Sequence, residues 1–194
     1  MSEVFLSASV PVLGRGRYYE TANPFLIQFA VRELVMAVVP NHTLVWGGHP
    51  AITPMIWTVC EDIGISYAER VVLYQSQFFE DQFPEENARF RNTVLVPQRA
   101  GDRNESLREM RTRMFSRKGL RAAVFIGGMD GVEAEFDLFR RFHPDAKTMF
   151  VESPGGAAGE LAQRERQKGR AQPSTIDFAR LFLEQLLPVL DPLR

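Results

Sequence analysis

The sequence predicts an α/β fold: a doubly wound parallel sheet with helices on both faces, followed by one C-terminal helix. Short runs rich in β-branched residues alternate with segments of helix length. These short runs are nearly continuous in apolar residues, as parallel strands covered on both faces are. The chain of 194 residues is long enough to bury a core without the support of a metal or a disulfide.

Six strands and four crossover helices follow from this pattern. The strands are predicted at residues 4–8, 43–46, 71–75, 93–96, 122–126 and 148–151. The helices are predicted at residues 24–39, 54–63, 105–116 and 132–142. Residues 78–90 are acidic and aromatic, and we expect a turn followed by a short helix there. Alternation at this spacing is typical of a Rossmann-like sheet.

The end of the chain departs from this alternation. Residues 153–173 begin with glycines and alanines and continue with a polar run, which predicts a mobile loop or linker. Residues 174–194 predict an amphipathic helix capped by Ser174, with Asp177 three residues further on. We therefore divide the chain into a domain of residues 1–152, the linker and this helix. Because the helix must bury its apolar stripe, we expect a dimer or tetramer, the alternative being packing within the chain.

Charge and cysteine content exclude several classes of protein. There are 23 Lys and Arg against 24 Asp and Glu, a balance that argues against binding to nucleic acid or to an anionic membrane. Cys60 is the only cysteine, so no disulfide within the chain and no cysteine-rich zinc site is possible. The acidic start and the lack of a long apolar run predict a cytoplasmic protein.

Three strand-to-helix junctions carry the residues of chemical interest. Ligands of an open parallel sheet bind beyond the carboxyl ends of the strands. The junction residues are Ser7 and Ser9 after the first strand, Gly47, Gly48 and His49 after the second, and Gly127, Gly128, Met129, Asp130 and Gly131 after the fifth. Glycine removes the Cβ that keeps a phosphate from the backbone, and helix N-termini attract anions. Two glycine pairs beside neighbouring strands therefore predict a phosphorylated ligand, the alternative being that each pair only makes a tight turn.

Charged residues near these junctions complete the predicted site. Glu133 and Glu135 open the helix after Gly131, where the helix dipole favours a carboxylate whatever its role. We expect Glu135 to reach the cleft and accept a hydrogen bond from a ribose hydroxyl. Arg111, or Arg15 from the loop after the first strand (the first loop, residues 14–19), is predicted to supply positive charge to the site. Most of the other bases between residues 99 and 121 are expected on a solvated helix face.

Residues 4–11, 46–51 and 127–135 together resemble the SLOG superfamily, a Rossmann-like group that includes the cytokinin-activating LOG enzymes. LOG enzymes have a serine-rich first turn, a Tyr-Gly-Gly-Gly turn and a Pro-Gly-Gly-x-Gly-Thr-x-x-Glu motif, and this chain is similar in their order and spacing. Glu135 stands at the final glutamate, but Ile126 replaces the proline and Val132 replaces the threonine. Met129 and Asp130 add one residue. The family's Arg-Lys-x-x-Met stretch corresponds to residues 110–114, which begin with methionine and place Arg111 second.

The resemblance implies that residues 1–152 form a nucleotide-binding domain. In LOG enzymes such a domain is a phosphoribohydrolase of nucleotide 5'-monophosphates, and Glu135 and Arg111 would be catalytic. The departures make the chain more similar to sensor-type SLOG domains. These domains are associated with NADase effectors in bacterial antiviral systems, and they bind messengers that are NAD-derived or resemble ADP-ribose.

Three classes of function stay open, in order of preference: a nucleotide sensor without turnover, an enzyme that cleaves an N-glycosidic bond, and a structural interaction module. The predicted ligand-binding residues are Ser7, Ser9, Arg15, Gly47, Gly48, His49, Gly127, Gly128, Met129, Asp130, Gly131 and Glu135. We expect a nucleotide ligand and an effector partner, and no metal or further cofactor.

Overall fold

One parallel sheet organises the chain. The computed structural model describes residues 1–170 and 172–191. Its strands are β1 (Glu3–Ser9), β2 (Thr43–Trp46), β3 (Val71–Ser76), β4 (Asn92–Val96), β5 (Leu120–Gly127) and β6 (Lys147–Val151). They pair in the order β4-β3-β2-β1-β5-β6, every pair parallel. The predicted sheet is confirmed.

Helices cover both faces of this sheet. They are α1 (Pro24–Val38), α2 (Thr53–Ile63), α3 (Arg103–Phe115), α4 (Asp130–Phe142), α5 (Gly156–Gln167), α6 (Phe178–Gln185) and α7 (Leu187–Leu190). Four 3₁₀ helices lie at Tyr18–Glu20, Ile65–Arg70, Gln77–Gln82 and Glu85–Arg89. Two of them occupy the segment where we predicted a turn and one short helix.

Side chains that alternate along the strands form two cores. On β1, Val4 and Leu6 point into a core made with α1, α2, α6 and α7. Phe5 points the other way, into a core made with α3, α4 and α5. Val4, Phe5 and Leu6 are all fully buried. Because side chains on both faces of the sheet are buried, the strands are nearly continuous apolar runs in the sequence. The predicted doubly wound fold with helices on both faces is therefore confirmed.

The strand order reverses beside β1. From β1 the chain builds β2, β3 and β4 outward on one side and then crosses back to add β5 and β6 on the other. The glycine turns after β2 and β5 are consequently separated by β1. Our expectation that they lie beside neighbouring strands is wrong, because sequence order does not fix which strand β5 joins. The reversal between β1 and β5 is the place where open sheets of this kind bind ligands.

The predicted linker of residues 153–173 is also wrong, since most of it is helix α5. Its alanines, which we took as too small to anchor a core, are fully buried at Ala157 and Ala158 and allow close approach to the sheet. Its polar run is the outer face of the helix, where Arg164 and Arg166 pair with Glu133 and Glu152.

The predicted C-terminal helix is shorter than expected and divided in two. α6 begins at Phe178, because Asp177 rather than Ser174 accepts the capping hydrogen bond, from the backbone N–H of Arg180. Pro188 lies in the first turn of α7, where its missing N–H costs no helical hydrogen bond. Residues 192–194 of the prediction lie outside the described residues. α6 packs on α1 of the same chain, and Phe178 meets Phe29 with ring centroids 5.5 Å apart.

Cys60 is a free, buried thiol on α2, and its burial raises the pKa of the thiol to about 11. Among residues 1–170 and 172–191, no helix has both the length and the apolar character needed to cross a membrane.

Candidate functional site

Three polar side chains from three elements converge where the strand order reverses. Ser7 on β1 faces α4, and its hydroxyl donates to Oε2 of Glu135 at 2.5 Å. Arg111 on α3 donates through Nε to Oε1 of the same carboxylate at 3.1 Å. The side chains of Arg111 and Glu135 are only 15% and 17% exposed. We call Ser7, Arg111 and Glu135 the polar cluster.

Local chain geometry explains why these residues meet. Ser7 follows Phe5 by two positions on β1, so both side chains project to the α3 and α4 side of the sheet. Glu135 lies on α4 over this face, and Arg111 approaches from the neighbouring α3. A Cβ on Gly131 would lie 3.3 Å from Nη2 of Arg111, so the glycine leaves room for the guanidinium. The cluster therefore holds a carboxylate in one orientation with a cation beside it.

The glycines of the turn between β5 and α4 are required by the conformation and packing of the turn itself, which the sequence alone does not show. Gly127 and Gly128 are both buried. Gly128 has φ +80°, and its N–H donates to the carbonyl of Ser9 at 2.8 Å. A Cβ at Gly128 would lie 2.1 Å from Cγ2 of Val132. Gly128 therefore shapes the turn, and its N–H is already used by the protein.

The first turn of α4 offers the backbone donors that remain at this junction. Val132 donates its N–H back to Met129 at 2.8 Å, so the amides of Asp130 and Gly131 precede the first helical hydrogen bond. Asp130 and Gly131 are exposed and Met129 is half-buried. A helix start of this kind favours an anion. Of the predicted backbone donors, those of Asp130 and Gly131 are therefore the best placed to meet a phosphate.

At the junction after β2, the glycine Gly48 makes room for a side chain of the neighbouring strand. Gly48 has φ +75°, and a Cβ there would lie 1.5 Å from Nε2 of Gln75. Gln75 is itself buried at the end of β3 and occupies the space that the glycine leaves. Gly47 lies in ordinary contact with α3, since its Cβ would be 3.7 Å from the methyl carbons of Met110 and Met114. The space beside the backbone of Gly48 is therefore filled by the side chain of Gln75.

His49 is held in place by its neighbours. Its Nδ1 accepts from the N–H of Ala51 at 3.2 Å, and its own N–H donates to Oγ1 of Thr53 at 3.1 Å. Burial, with a smaller contribution from the charge of Arg15, lowers the pKa of His49. The imidazole is therefore neutral at pH 7. Among the described residues, no three His, Cys, Asp or Glu side chains group as a metal site would require.

The first loop brings its two arginines to different places. Arg15 is exposed and acts electrostatically on His49. Arg17 stacks on the ring of Tyr18 at 4.8 Å and pairs through Nη2 with Oε2 of Glu160 at 2.6 Å. By contrast, Arg113 of α3, which follows Arg111 by two residues and was a second candidate for the cleft, pairs with Glu109 of its own helix.

A third glycine turn, after β6, packs against the turn after β5, and our interpretation of the sequence missed it. Gly155 and Gly156 lead into α5, and Ala157 donates its N–H to the carbonyl of Gly128 at 3.0 Å. This bond ties the turn after β6 to the turn after β5. A signal was present, because the glycine pair begins four residues after the predicted strand of residues 148–151 and precedes a segment of helix length. We assigned it to the linker.

Beside this third turn lies a groove of about 890 Å³. Its walls are the first loop, the start of α4 and the outer face of α5. The charged and amide side chains that line it are Arg17, Glu133, Glu152, Glu160, Gln163, Arg164 and Gln167. We call it the α5 groove. Its volume falls in the range of small-molecule sites.

Comparison with known proteins identifies the family and the fold. A family model described as the SLOG cluster3 family matches residues 17–186. The X-ray structure of TM1055, a target of the Northeast Structural Genomics Consortium, is similar with a TM-score of 0.53 and 13% identity. The match covers 96% of this chain and 100% of that one, and at this identity it concerns the fold. No curated protein matches by sequence.

Proposed function

Because the chain belongs to the SLOG cluster3 family and is a nucleotide-related SLOG domain, we propose that it binds a phosphorylated nucleoside beyond β1 and β5. One observation carries the proposal: the polar cluster stands next to the open start of α4, at the reversal of strand order. An oriented carboxylate suits ribose hydroxyls, and a helix start suits phosphate. The two features together match the two polar parts of a nucleotide.

Each part of the ligand has assigned partners in this proposal. The amides of Asp130 and Gly131 donate to phosphate oxygens, and the hydroxyl of Ser9 assists from the end of β1. Glu135 accepts from a ribose hydroxyl, replacing the bond that Ser7 now donates. Arg15 supplies charge from the loop. We place no phosphate over Gly48, because Gln75 occupies that space.

We further propose that occupancy is passed to an effector and that the chain acts as a sensor without turnover. The resemblance to sensor-type SLOG domains supports a messenger that is NAD-derived or similar to ADP-ribose, and an NADase effector in bacterial antiviral defence. Val132 supports binding without turnover, because it puts an apolar side chain where LOG enzymes carry their phosphate-binding threonine.

A second candidate, LOG-like phosphoribohydrolase activity, is favoured by the contact of Arg111 with Glu135. In sequence, Arg111 is offset by one from the LOG arginine, which argued against an enzyme. In the fold, its guanidinium nevertheless reaches the glutamate at 3.1 Å. The carboxylate of Glu135 suits the stabilisation of positive charge developing on a ribose ring, and the guanidinium of Arg111 beside it suits a phosphate of the substrate.

One experiment separates these candidates. The protein is incubated with AMP, ADP-ribose and NAD, thermal shift reports binding, and chromatography reports free base or ribose 5-phosphate. We expect a rise in melting temperature without product. Product that disappears in Glu135→Gln would establish the enzyme instead. No shift and no product with any nucleotide would leave the structural module as the remaining class.

We also propose that the chain self-associates through an apolar patch on α1 and α6. Phe25 is 72% exposed and stacks on Phe29 at 6.4 Å, and Phe29 in turn meets Phe178 at the start of α6 with ring centroids 5.5 Å apart. Exposed apolar side chains that cluster in this way are typical of interfaces. Light scattering at micromolar concentration is expected to report a dimer or larger, and Phe25→Glu is expected to reduce it to a monomer. A wild-type monomer would contradict the proposal.

A further inference from the structure

The start of α4 carries negative charge as well as free amides. The amides of Asp130 and Gly131 are the donors that the proposed function assigns to a phosphate. The same first turn also carries the carboxylates of Asp130 and Glu133. Glu133 is paired with Arg164 of α5, but the charge of Asp130 repels a phosphate. A phosphate bound here therefore needs further donors close to Asp130, and at least one of them needs to be a cation.

Tyr18 is a buried donor that the protein itself leaves unused. It opens the 3₁₀ helix Tyr18–Glu20, which packs on α5, and it is only 3% exposed. Among the described residues, no group forms a hydrogen bond with its hydroxyl. The pKa of Tyr18 is raised first by burial and further by the carboxylates of Glu160 and Asp130, against the opposing charge of Arg17. Tyr18 is therefore a protonated phenol, able to donate, in the electrostatic field of the α4 start.

Arg17 is a cation held near the same turn. Its guanidinium donates to both carboxylate oxygens of Glu160, from Nε at 3.1 Å and from Nη2 at 2.6 Å. Glu160 lies one helical turn, about 6 Å, after Gly156. A Cβ on Gly156 would lie 2.9 Å from the carbonyl oxygen of Gly128, just before α4. The pKa of Arg17 is raised first by the hydrogen bond to Glu160 and least by the charge of Asp130, so the guanidinium acts on the α4 start as well.

The pair of Arg17 and Glu160 is suited to an exchange of partners. The side chain of Arg17 is 68% exposed, and exposed ion pairs contribute little net stability. A phosphate accepts the same bidentate pair of N–H bonds as a carboxylate, and it carries more charge. Glu160 therefore competes with a phosphate for one guanidinium and does not block the site.

We infer that Arg17 and Tyr18 bind the phosphate at the start of α4, and that Glu160 regulates this site by holding Arg17 while the site is empty. On binding, Tyr18 donates from its hydroxyl to a phosphate oxygen, and Arg17 turns from Glu160 to the phosphate. The inference rests on the proposed function, since it takes the position of the phosphate from there. It deepens that function by naming two binding residues and a carboxylate that opposes binding.

Calorimetry with AMP, which carries one terminal phosphate, tests the two binding residues. Arg17→Gln is expected to weaken AMP about tenfold, and Arg17→Lys about threefold, because lysine keeps the charge and loses the fork of donors. Tyr18→Phe removes only the hydroxyl and is expected to weaken AMP by about threefold or more. Its matched control is Tyr19→Phe, which removes the hydroxyl of the exposed neighbour and is expected to leave the affinity within about twofold.

Glu160→Gln is the most specific variant, because it is expected to improve binding. Without the carboxylate, Arg17 is released to the phosphate, and AMP is expected to bind about threefold more tightly. This gain is expected to vanish when Arg17→Gln is already present, whereas a merely structural role of Glu160 predicts no gain in either background. Glu184→Gln, which removes the exposed Arg180–Glu184 pair of α6, is the matched control and is expected to leave AMP unchanged. Thermal unfolding establishes that each variant is folded.

The outcomes separate this inference from the proposed function. If AMP binds the wild-type chain and either Arg17→Gln or Tyr18→Phe leaves its affinity within about twofold, the inference is overturned and the proposed function stands. Equal losses in Tyr18→Phe and Tyr19→Phe, or no gain in Glu160→Gln, also overturn it. Should only ADP-ribose bind, the same variants are compared with ADP-ribose. If neither nucleotide binds the wild-type chain, the proposed function fails and the inference fails with it.

Discussion

The junction after β2 and the junction after β5 look alike in sequence and differ in the folded protein. Each has a glycine pair at the end of a buried strand, followed by the start of a helix. At β2 the space left by Gly48 is taken by the amide of Gln75. At β5 the helix start stays open, and Gly131 makes room for the guanidinium of Arg111 beside Glu135.

This difference shows that a glycine pair at the end of a strand does not by itself indicate a ligand-binding site. At both junctions side chains of the protein fill the space beside the glycine pair, Gln75 at Gly48 and Val132 at Gly128, and the difference is that the start of α4 stays exposed. Gln75 belongs to β3, which lies next to β2, whereas β5 lies next to β1 at the edge where the strand order reverses. Position in the sheet, more than the glycine pair itself, therefore distinguishes a closed turn from a candidate site.

The largest effect we predict is on stability at the β5 junction. Gly128→Ala is expected to lower the free energy of unfolding by about 2–4 kcal/mol, because it adds left-handed strain and a clash with the buried Val132. Gly48→Ala is expected to cost about 1–2 kcal/mol, since its φ is also positive but the Gln75 amide can move aside. Denaturant unfolding measures both.

Gly47→Ala is the control for this pair. Its Cβ would make only ordinary contacts with Met110 and Met114 at 3.7 Å, so we expect a change within about 1 kcal/mol. Equal losses in all three variants would contradict the distinction between turns that need glycine and turns that tolerate a side chain.

A smaller effect is predicted on binding. Glu135→Gln is expected to weaken ADP-ribose about tenfold, because a charge-assisted hydrogen bond to the ribose becomes a neutral one. His49→Asn at the β2 junction is expected to change the affinity by less than about twofold. Calorimetry on folded variants compares the two junctions directly, and a larger loss at His49 would reverse our assignment.

The smallest effect concerns the protonation of His49. Its pKa is lowered from 6.5, first by burial and then by Arg15. The neutral imidazole is thus favoured by folding, and this contribution to stability is present above about pH 6.5 and is lost as the pH falls further. Titration by NMR is expected to give a midpoint below 6.5 in wild type and a partial rise in Arg15→Gln. A midpoint at or above 6.5 would show that the ring is not desolvated.

The sheet was predictable because each strand is a local pattern. Apolar runs of β-branched residues gave strand positions that agree with the structure within two residues at every end. α5 was missed because glycine and alanine are ambiguous: they characterise mobile segments, and they also allow tight packing, as Ala157 and Ala158 do.

The site was predictable only in its parts. Ser7 and Glu135 were identified from their junctions, and Arg111 from its position before a strand. That Arg111 pairs with Glu135 depends on α3 and α4 packing side by side, which follows from the crossover between β4 and β5. The contact between Gln75 and Gly48 likewise depends on strand order. Neither of these two contacts can be predicted from the spacing of residues along the chain.

The most direct test of the central claim is a titration of isotope-labelled protein with ADP-ribose, followed by backbone NMR. The account predicts the largest shifts at Ser7, Ser9, Asp130, Gly131 and Glu135, with little change at Gly48 and His49. Shifts centred on Gly48 and His49, or no saturable shifts at any residue, would contradict a nucleotide site where the strand order reverses between β1 and β5.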